Sequence, residues 1–173
     1  KLDIYFPTHL SNDYPDVNKS GLYTVLSHIH GGGWKRGDKN MMRETAAYYA
    51  DRGILFITPN YRLTPQVKHP AHVEDCAAAL AWVFDHIDGL GGDRSRVFIS
   101  GHSAGAHLAA LLATDQQYLY MYGINTDQIA GVIPVDTASF DLAGDNNEEF
   151  VKRLVNNAFG VGYNERRAAS PYH

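Results

Sequence analysis

Five residues near the middle of the chain, Gly101-His102-Ser103-Ala104-Gly105, have the types and spacing of a nucleophile placed on a sharp turn. The apolar run Val97-Phe98-Ile99 precedes them, and a small-residue helical run from Ala106 to Thr114 follows. Strand, tight turn and helix is the setting in which G-x-S-x-G exposes a serine Oγ above the end of a sheet. The turn forces the serine backbone into a strained conformation. Glycines two residues to either side remove the Cβ atoms that would hold strand and helix apart. The serine also sits at a helix N-terminus, where free N–H groups and the helix dipole favour negative charge. Taken by itself, the pentapeptide reads equally well as a Gly/Ser turn.

A second motif upstream changes that balance. His30-Gly31-Gly32-Gly33-Trp34 follows the strand-like stretch Tyr23 to Ile29. Consecutive glycines leave backbone N–H groups unshielded, free to donate to the oxyanion that develops during acyl transfer. Gly32 and Gly33 are the candidate donors, and the N–H of Ala104, directly after the serine, is the third. Together the two motifs resemble the α/β-hydrolase fold, specifically its esterase/lipase branch with HGGGW and GHSAG motifs, which includes hormone-sensitive-lipase-like carboxylesterases. The segments Asn60-Tyr61-Arg62-Leu63, His69 to Asp75 and Gly92-Asp93 also look like this family, so the resemblance covers nearly the whole chain.

The resemblance implies a single α/β-hydrolase domain over residues 1–173, a three-layer sandwich with a mostly parallel sheet and helices on both faces. It implies Ser103 as nucleophile toward short-chain or aryl esters, Gly32, Gly33 and Ala104 as the oxyanion hole, and no cofactor. Few residues precede the glycine motif to form a lid helix, which favours small esters. A formamidase-type amide hydrolase is the alternative enzyme, although its relatives carry a bulkier residue where Gly33 stands. A non-catalytic fragment or pseudoenzyme that binds an acyl ligand or a partner is the alternative of another class.

Serine at its free pKa is a poor nucleophile and needs an adjacent base. In this fold the acid and then the histidine follow the serine along the chain. After Ser103 come only His107, one helical turn on and pointing along the helix, and His173, the last residue. The expectation is that the acid, the base and the C-terminal strands lie beyond this sequence. Asp136 is the fallback acid, although Asp136 and Asp141 read better as shaping the loop beneath the site. The expected partners are an ester substrate and either self-association or a complementing C-terminal segment.

The elements that must position these residues follow from periodicity. Leu2 to Phe6 alternates as an edge strand, Tyr23 to Ile29 and Ile54 to Thr58 read as strands, and so does Ile129 to Val135. Met41 to Asp51, Ala71 to Ile87 and Glu148 to Ala158 read as helices. The second carries Val73, Cys76, Ala77, Leu80, Phe84 and Ile87 at helical spacing. Alternation of strand and helix predicts a parallel sheet covered on both faces. Thr8 to Gly21 is polar and reads as a loop.

Other residues receive plainer readings. His28 and His30 share a strand face, but no third ligand at a recognisable spacing makes them a metal site. In similar enzymes the counterpart of His30 steadies the glycine loop through a ring hydrogen bond. His69 and His72 read as structural or solvent-facing, and His102 as packing beside the serine. The single cysteine, Cys76, reads as a buried thiol. A net charge of −4 suggests no affinity for nucleic acid or acidic membrane. No stretch reaches the length of a membrane span and no signal peptide is present, so a cytoplasmic location is favoured. Asn18-Lys19-Ser20 is a glycosylation sequon that matters only in a secreted protein.

Overall fold

The computed structural model describes residues 1–8, 21–137, 139–144 and 148–172. The sequon, most of the Thr8–Gly21 loop and His173 lie outside these residues.

Five strands form one sheet in the order β1-β3-β2-β4-β5. They are β1 (Leu2–Tyr5), β2 (Tyr23–Ile29), β3 (Ile54–Pro59), β4 (Gly92–His102) and β5 (Gly131–Val135). Strands β2 to β5 run parallel, and β1 pairs antiparallel on β3 at one edge. The half-buried, alternating β1 occupies the edge its pattern predicts. At the other edge, β5 leaves Ile133 and Val135 about half exposed, and no described strand pairs beyond it.

Side-chain alternation divides the core into two layers. Val25, Leu55, Ile57, Val97 and Ile99 point into the larger cluster, under helices α2 (Ala71–His86) and α3 (Ala104–Thr114). Leu26 and Phe56 point the other way, against Ala46 of helix α1 (Arg43–Ala50). The sheet is therefore covered on both faces, as the strand–helix alternation implies. The apolar positions read on this helix are buried, with Ile87 in the turn just after α2, and burial pushes up the thiol pKa of Cys76. Residues 104–112 of α3 are all buried, and their alanines and Gly105 let the neighbouring elements approach a helix enclosed on every side.

The structure adds detail the periodicity does not carry. Strand β4 starts at Gly92, well before its apolar core. The stretch read as a strand from Ile129 pairs only from Gly131. Two short helices, α4 (Gln117–Tyr120) and α6 (Tyr163–Ala168), flank α5 (Glu149–Phe159) in chain order. No described helix is long and apolar enough to cross a membrane.

Candidate active site

Strands β2, β3, β4 and β5 deliver His30, Asn60, Ser103 and Asp136 to their carboxyl ends, where sites in such sheets form. Ser103 has φ 53° and ψ −117°, a backbone conformation that L-residues rarely adopt. Helix α3 begins at the next residue, and its first bond runs from His107 N–H to Ser103 O at 3.1 Å. The Ser103 N–H donates to Val135 O at 2.9 Å, tying the turn to β5. A Cβ on Gly101 would run into the Gly105 carbonyl, and one on Gly105 into the Ile29 carbonyl. The spacing of the motif is thus a packing requirement of β2, β4 and α3.

The glycine loop is built differently. Gly32 and Gly33 have φ of 118° and 62°, and Trp34 continues the run at 56°. The N–H groups of Lys35 and Arg36 both donate to Gly32 O, at 3.2 and 3.1 Å, and close the turn. Trp34 is buried edge-on against His107 and Phe159, with ring centroids 5.3 and 4.9 Å away. His30 Nδ1–H donates to Gly31 O at 2.8 Å, the ring hydrogen bond implied by the resemblance. The His30 ring stacks on Tyr61 at 4.4 Å, and the Tyr61 hydroxyl donates to His30 O at 3.1 Å. Burial lowers the His30 pKa, which keeps the ring neutral. Asp38 and Asn60 finish the clamp: Asn60 Nδ2 donates to Asp38 at 2.9 Å, and Lys39 N–H donates to Asn60 Oδ1 at 2.7 Å.

Loop and turn meet. A Cβ on Gly31 would stand 2.7 Å from His102 O and 3.3 Å from Ser103 Cβ. Gly32, Gly33 and Ser103 line one cleft of about 510 Å³, roofed by Phe150 and Leu154 of α5. The N–H groups of Gly32, Gly33 and Ala104 donate to no described residue. Ala104 opens α3 with its side chain buried behind the serine.

The other sequence candidates fall away from the nucleophile. No described side chain hydrogen-bonds Ser103 Oγ. His107 is fully buried, donates from Nε2 to Ala169 O at 2.8 Å, and has its pKa pushed down to about 4 by burial. His102 is half-exposed, with Nε2 3.9 Å from Asp136. Asp136 stands in the left-handed region with its carboxylate in solvent, so it does not shape the loop. Asp141 does, because its Oδ1 accepts from Ala143 N–H and Gly144 N–H at 2.9 and 3.1 Å. His28 Nδ1 shares a 2.8 Å hydrogen bond with Ser100 Oγ on the neighbouring strand. Among the described residues no group of three or more His, Cys, Asp or Glu could hold a metal.

His69 and His72 are structural rather than solvent-facing. His72 Nε2 lies 3.2 Å from Thr64 Oγ1, and His69 Nε2 lies 3.2 Å from the Tyr118 hydroxyl. With His107 they surround Phe159 at ring distances of 5.2 to 6.3 Å. Burial pushes the pKa of each down to about 4. Sequence reasoning misses this cluster, the left-handed Trp34, and the roof formed by Phe150 and Leu154. The amphipathic pattern of α5 signals that it packs, not where.

The BD-FAE family model matches residues 2–160. The chain is 39% identical over 100 residues to a probable carboxylic ester hydrolase, LipM, of Mycobacterium tuberculosis, covering 57% of this chain and 23% of LipM. Esterase 2 of Thermogutta terrifontis, phosphonylated by sarin, superposes with a TM-score of 0.76 at 25% identity, covering 99% of this chain and 62% of the esterase. Its butyrate-bound form gives a TM-score of 0.73 at 27% identity, with 99% and 61% covered. The chain thus spans about a quarter of the curated relative and about three-fifths of the solved esterase.

Proposed function

The chain belongs to the BD-FAE family, an α/β-hydrolase esterase family, and from that premise we propose that it carries the nucleophile and oxyanion hole of a serine carboxylic-ester hydrolase. One observation carries the reading: a strained serine and two glycines whose N–H groups have no acceptor among the described residues line the same cleft, with the unused N–H of Ala104 next to the serine in the chain. Ser103 Oγ attacks the ester carbonyl carbon and gives up its proton to a base supplied from outside the described residues. The N–H groups of Gly32, Gly33 and Ala104 hold the negative charge that collects on the carbonyl oxygen. The tetrahedral species collapses, the C–O bond to the alcohol breaks, and the alcohol leaves with the proton. Water then attacks the acyl-serine, releasing the carboxylic acid and restoring Ser103.

Short acyl groups fit the roofed cleft, and the structurally similar esterase binds butyrate. A residue larger than glycine at position 33 would press on Leu154, whose Cδ1 lies 2.8 Å from where a Cβ would stand, which favours esters over the formamidase alternative. The test is hydrolysis of 4-nitrophenyl acetate and butyrate by the full-length protein. Ser103→Ala lowers kcat by roughly 10⁴- to 10⁶-fold, and a fluorophosphonate labels the parent protein at Ser103 but not the variant. Retention of most turnover in Ser103→Ala removes the serine from the mechanism.

A further inference from the structure

We infer that this cleft selects esters that carry a carboxylate, through the side chains of Lys35 and Arg36. The inference rests on the esterase reading above and names its substrate class. Both residues line the cleft that holds Ser103 and the glycine donors. The turn that builds the oxyanion loop also fixes them, because their N–H groups are the ones bonded to Gly32 O. The stem of Arg36 runs along the loop, with its Cγ 3.1 Å from where a Cβ on Gly32 would stand.

Position, more than the lack of a partner, makes these cations informative: Lys68, Lys152, Arg153 and Arg167 also make no ion pair among the described residues, but none of them lines the cleft of Ser103. Several cations elsewhere on the molecule are matched: Lys39 with Asp3 at 2.6 Å, Arg62 with Asp75 at 2.8 Å, Arg94 with Asp88 at 3.1 Å and Arg96 with Asp93 at 2.8 Å. Among the described residues, Lys35 and Arg36 make no ion pair and no side-chain hydrogen bond, and no carboxylate lines their cleft. In a chain of net charge −4, that sets two cations beside Ser103, with the Asp136 carboxylate on the far side of His102, 3.9 Å from its Nε2. Two like charges at the mouth of a cleft raise the local concentration of an oppositely charged substrate. The Arg36 guanidinium offers a planar fork that matches a carboxylate, and Lys35 adds a point charge beside it. A dicarboxylic half-ester with two methylenes sets its carboxylate about 4 Å from the reacting carbonyl carbon, close enough to feel both cations.

The experiment compares kcat/KM within pairs of substrates in the full-length protein. Mono-4-nitrophenyl succinate against 4-nitrophenyl butyrate places the charge on the acyl side. 4-Acetoxybenzoate against phenyl acetate places it on the alcohol side. In Lys35→Gln/Arg36→Gln, the preference for the charged member of at least one pair falls about five- to tenfold. Lys35→Glu/Arg36→Glu drives it down further. Raising the salt from about 0.01 M to about 1 M shortens the Debye length from about 30 Å to about 3 Å and removes most of the parent's preference. Because each ratio is taken within one variant, partial loss of folded protein does not move it. Lys68→Gln, an exposed cation outside the cleft, is the control for net charge. Ratios that move no further in the double variant than in Lys68→Gln overturn the inference. If turnover depends on Ser103 while the ratios stay fixed, only charge selection fails. Turnover that survives Ser103→Ala sinks the esterase reading itself.

Discussion

The two glycine-rich turns at the carboxyl end of the sheet look alike in sequence and are opposites in physics. In the Ser103 turn the glycines take ordinary backbone conformations and contribute only space, letting β2, β4 and α3 touch at Gly101 and Gly105. The strained residue there is the serine itself, at φ 53°. In the loop after β2, Gly32 and Gly33 contribute freedom, taking positive-φ conformations, and their N–H groups have no acceptor among the described residues. What strain remains passes to Trp34, which packing against His107 and Phe159 holds in place. One turn uses glycine as space beside a forced serine; the other uses it so that its own backbone need not be forced. The same substitution should therefore fail in different ways in the two places.

Gly105→Ala tests the space-filling half and has the largest expected effect. Its Cβ meets the Ile29 backbone, which cannot swing aside, so stability falls by roughly 3 kcal/mol and activity goes with it. Urea unfolding checks this; a variant as stable as the parent would erase the distinction between the two turns. Gly33→Ala tests the other half. Its Cβ meets only the tip of Leu154, so the chain stays folded, at a cost of about 1 kcal/mol for the left-handed alanine. Turnover still drops about 10²- to 10³-fold in kcat, because a donor is displaced or crowded. A change confined to KM would make the loop a binding surface and not an oxyanion hole.

Acid attacks the support that the two turns share. His69, His72 and His107 have pKa values near 4 in the folded chain against an ordinary 6.5. Above pH 6.5 they are neutral in both states and their full contribution is present. As the pH falls from 6.5 toward 4, the unfolded chain takes up protons that the folded chain refuses. Stability is lost across that window, by at most about 1.4 kcal/mol per pH unit for each histidine. Chemical denaturation from pH 7.5 to 4.5, where all three variants His69→Gln, His72→Gln and His107→Gln are compared with the parent, should show shallower slopes in the variants. Equal slopes would show that these rings do not resist protonation. Ser103→Gly carries the smallest effect and has the opposite sign. Glycine relieves the strained turn, so stability rises by about 1 kcal/mol while activity disappears. A loss of stability would mean that the serine is unstrained.

The chemistry-bearing turns are readable in the sequence because their requirements are local. A glycine that must admit a neighbouring backbone, or expose its own N–H, leaves its mark at a fixed distance from the residue it serves. The same holds for α2, where Val73, Cys76, Ala77, Leu80 and Phe84 repeat at helical spacing and are buried. His30 is legible only through resemblance, since its partners Gly31 O and Tyr61 follow from the fold. What escapes reading is tertiary. His69, His72, His107 and Phe159 gather around one point from three helices and a loop, and no spacing in the chain encodes that meeting. Phe150 and Leu154 roof the cleft only because α5 docks with Val155, Ala158 and Phe159 inward. Lys35 and Arg36 carry no signal in the sequence that marks them out, and only the structure shows that they line the cleft of Ser103.

The bond from Ser103 N–H to Val135 O gives the serine turn a clock. That amide proton is held by the last residue of β5, so it exchanges with deuterium when β5 lifts from the turn. Its exchange rate, read by mass spectrometry of a peptide spanning Ser103, reports how often that contact opens. Any binding event that stiffens or loosens β5 will register at this one proton on the reactive residue, without a substrate being turned over.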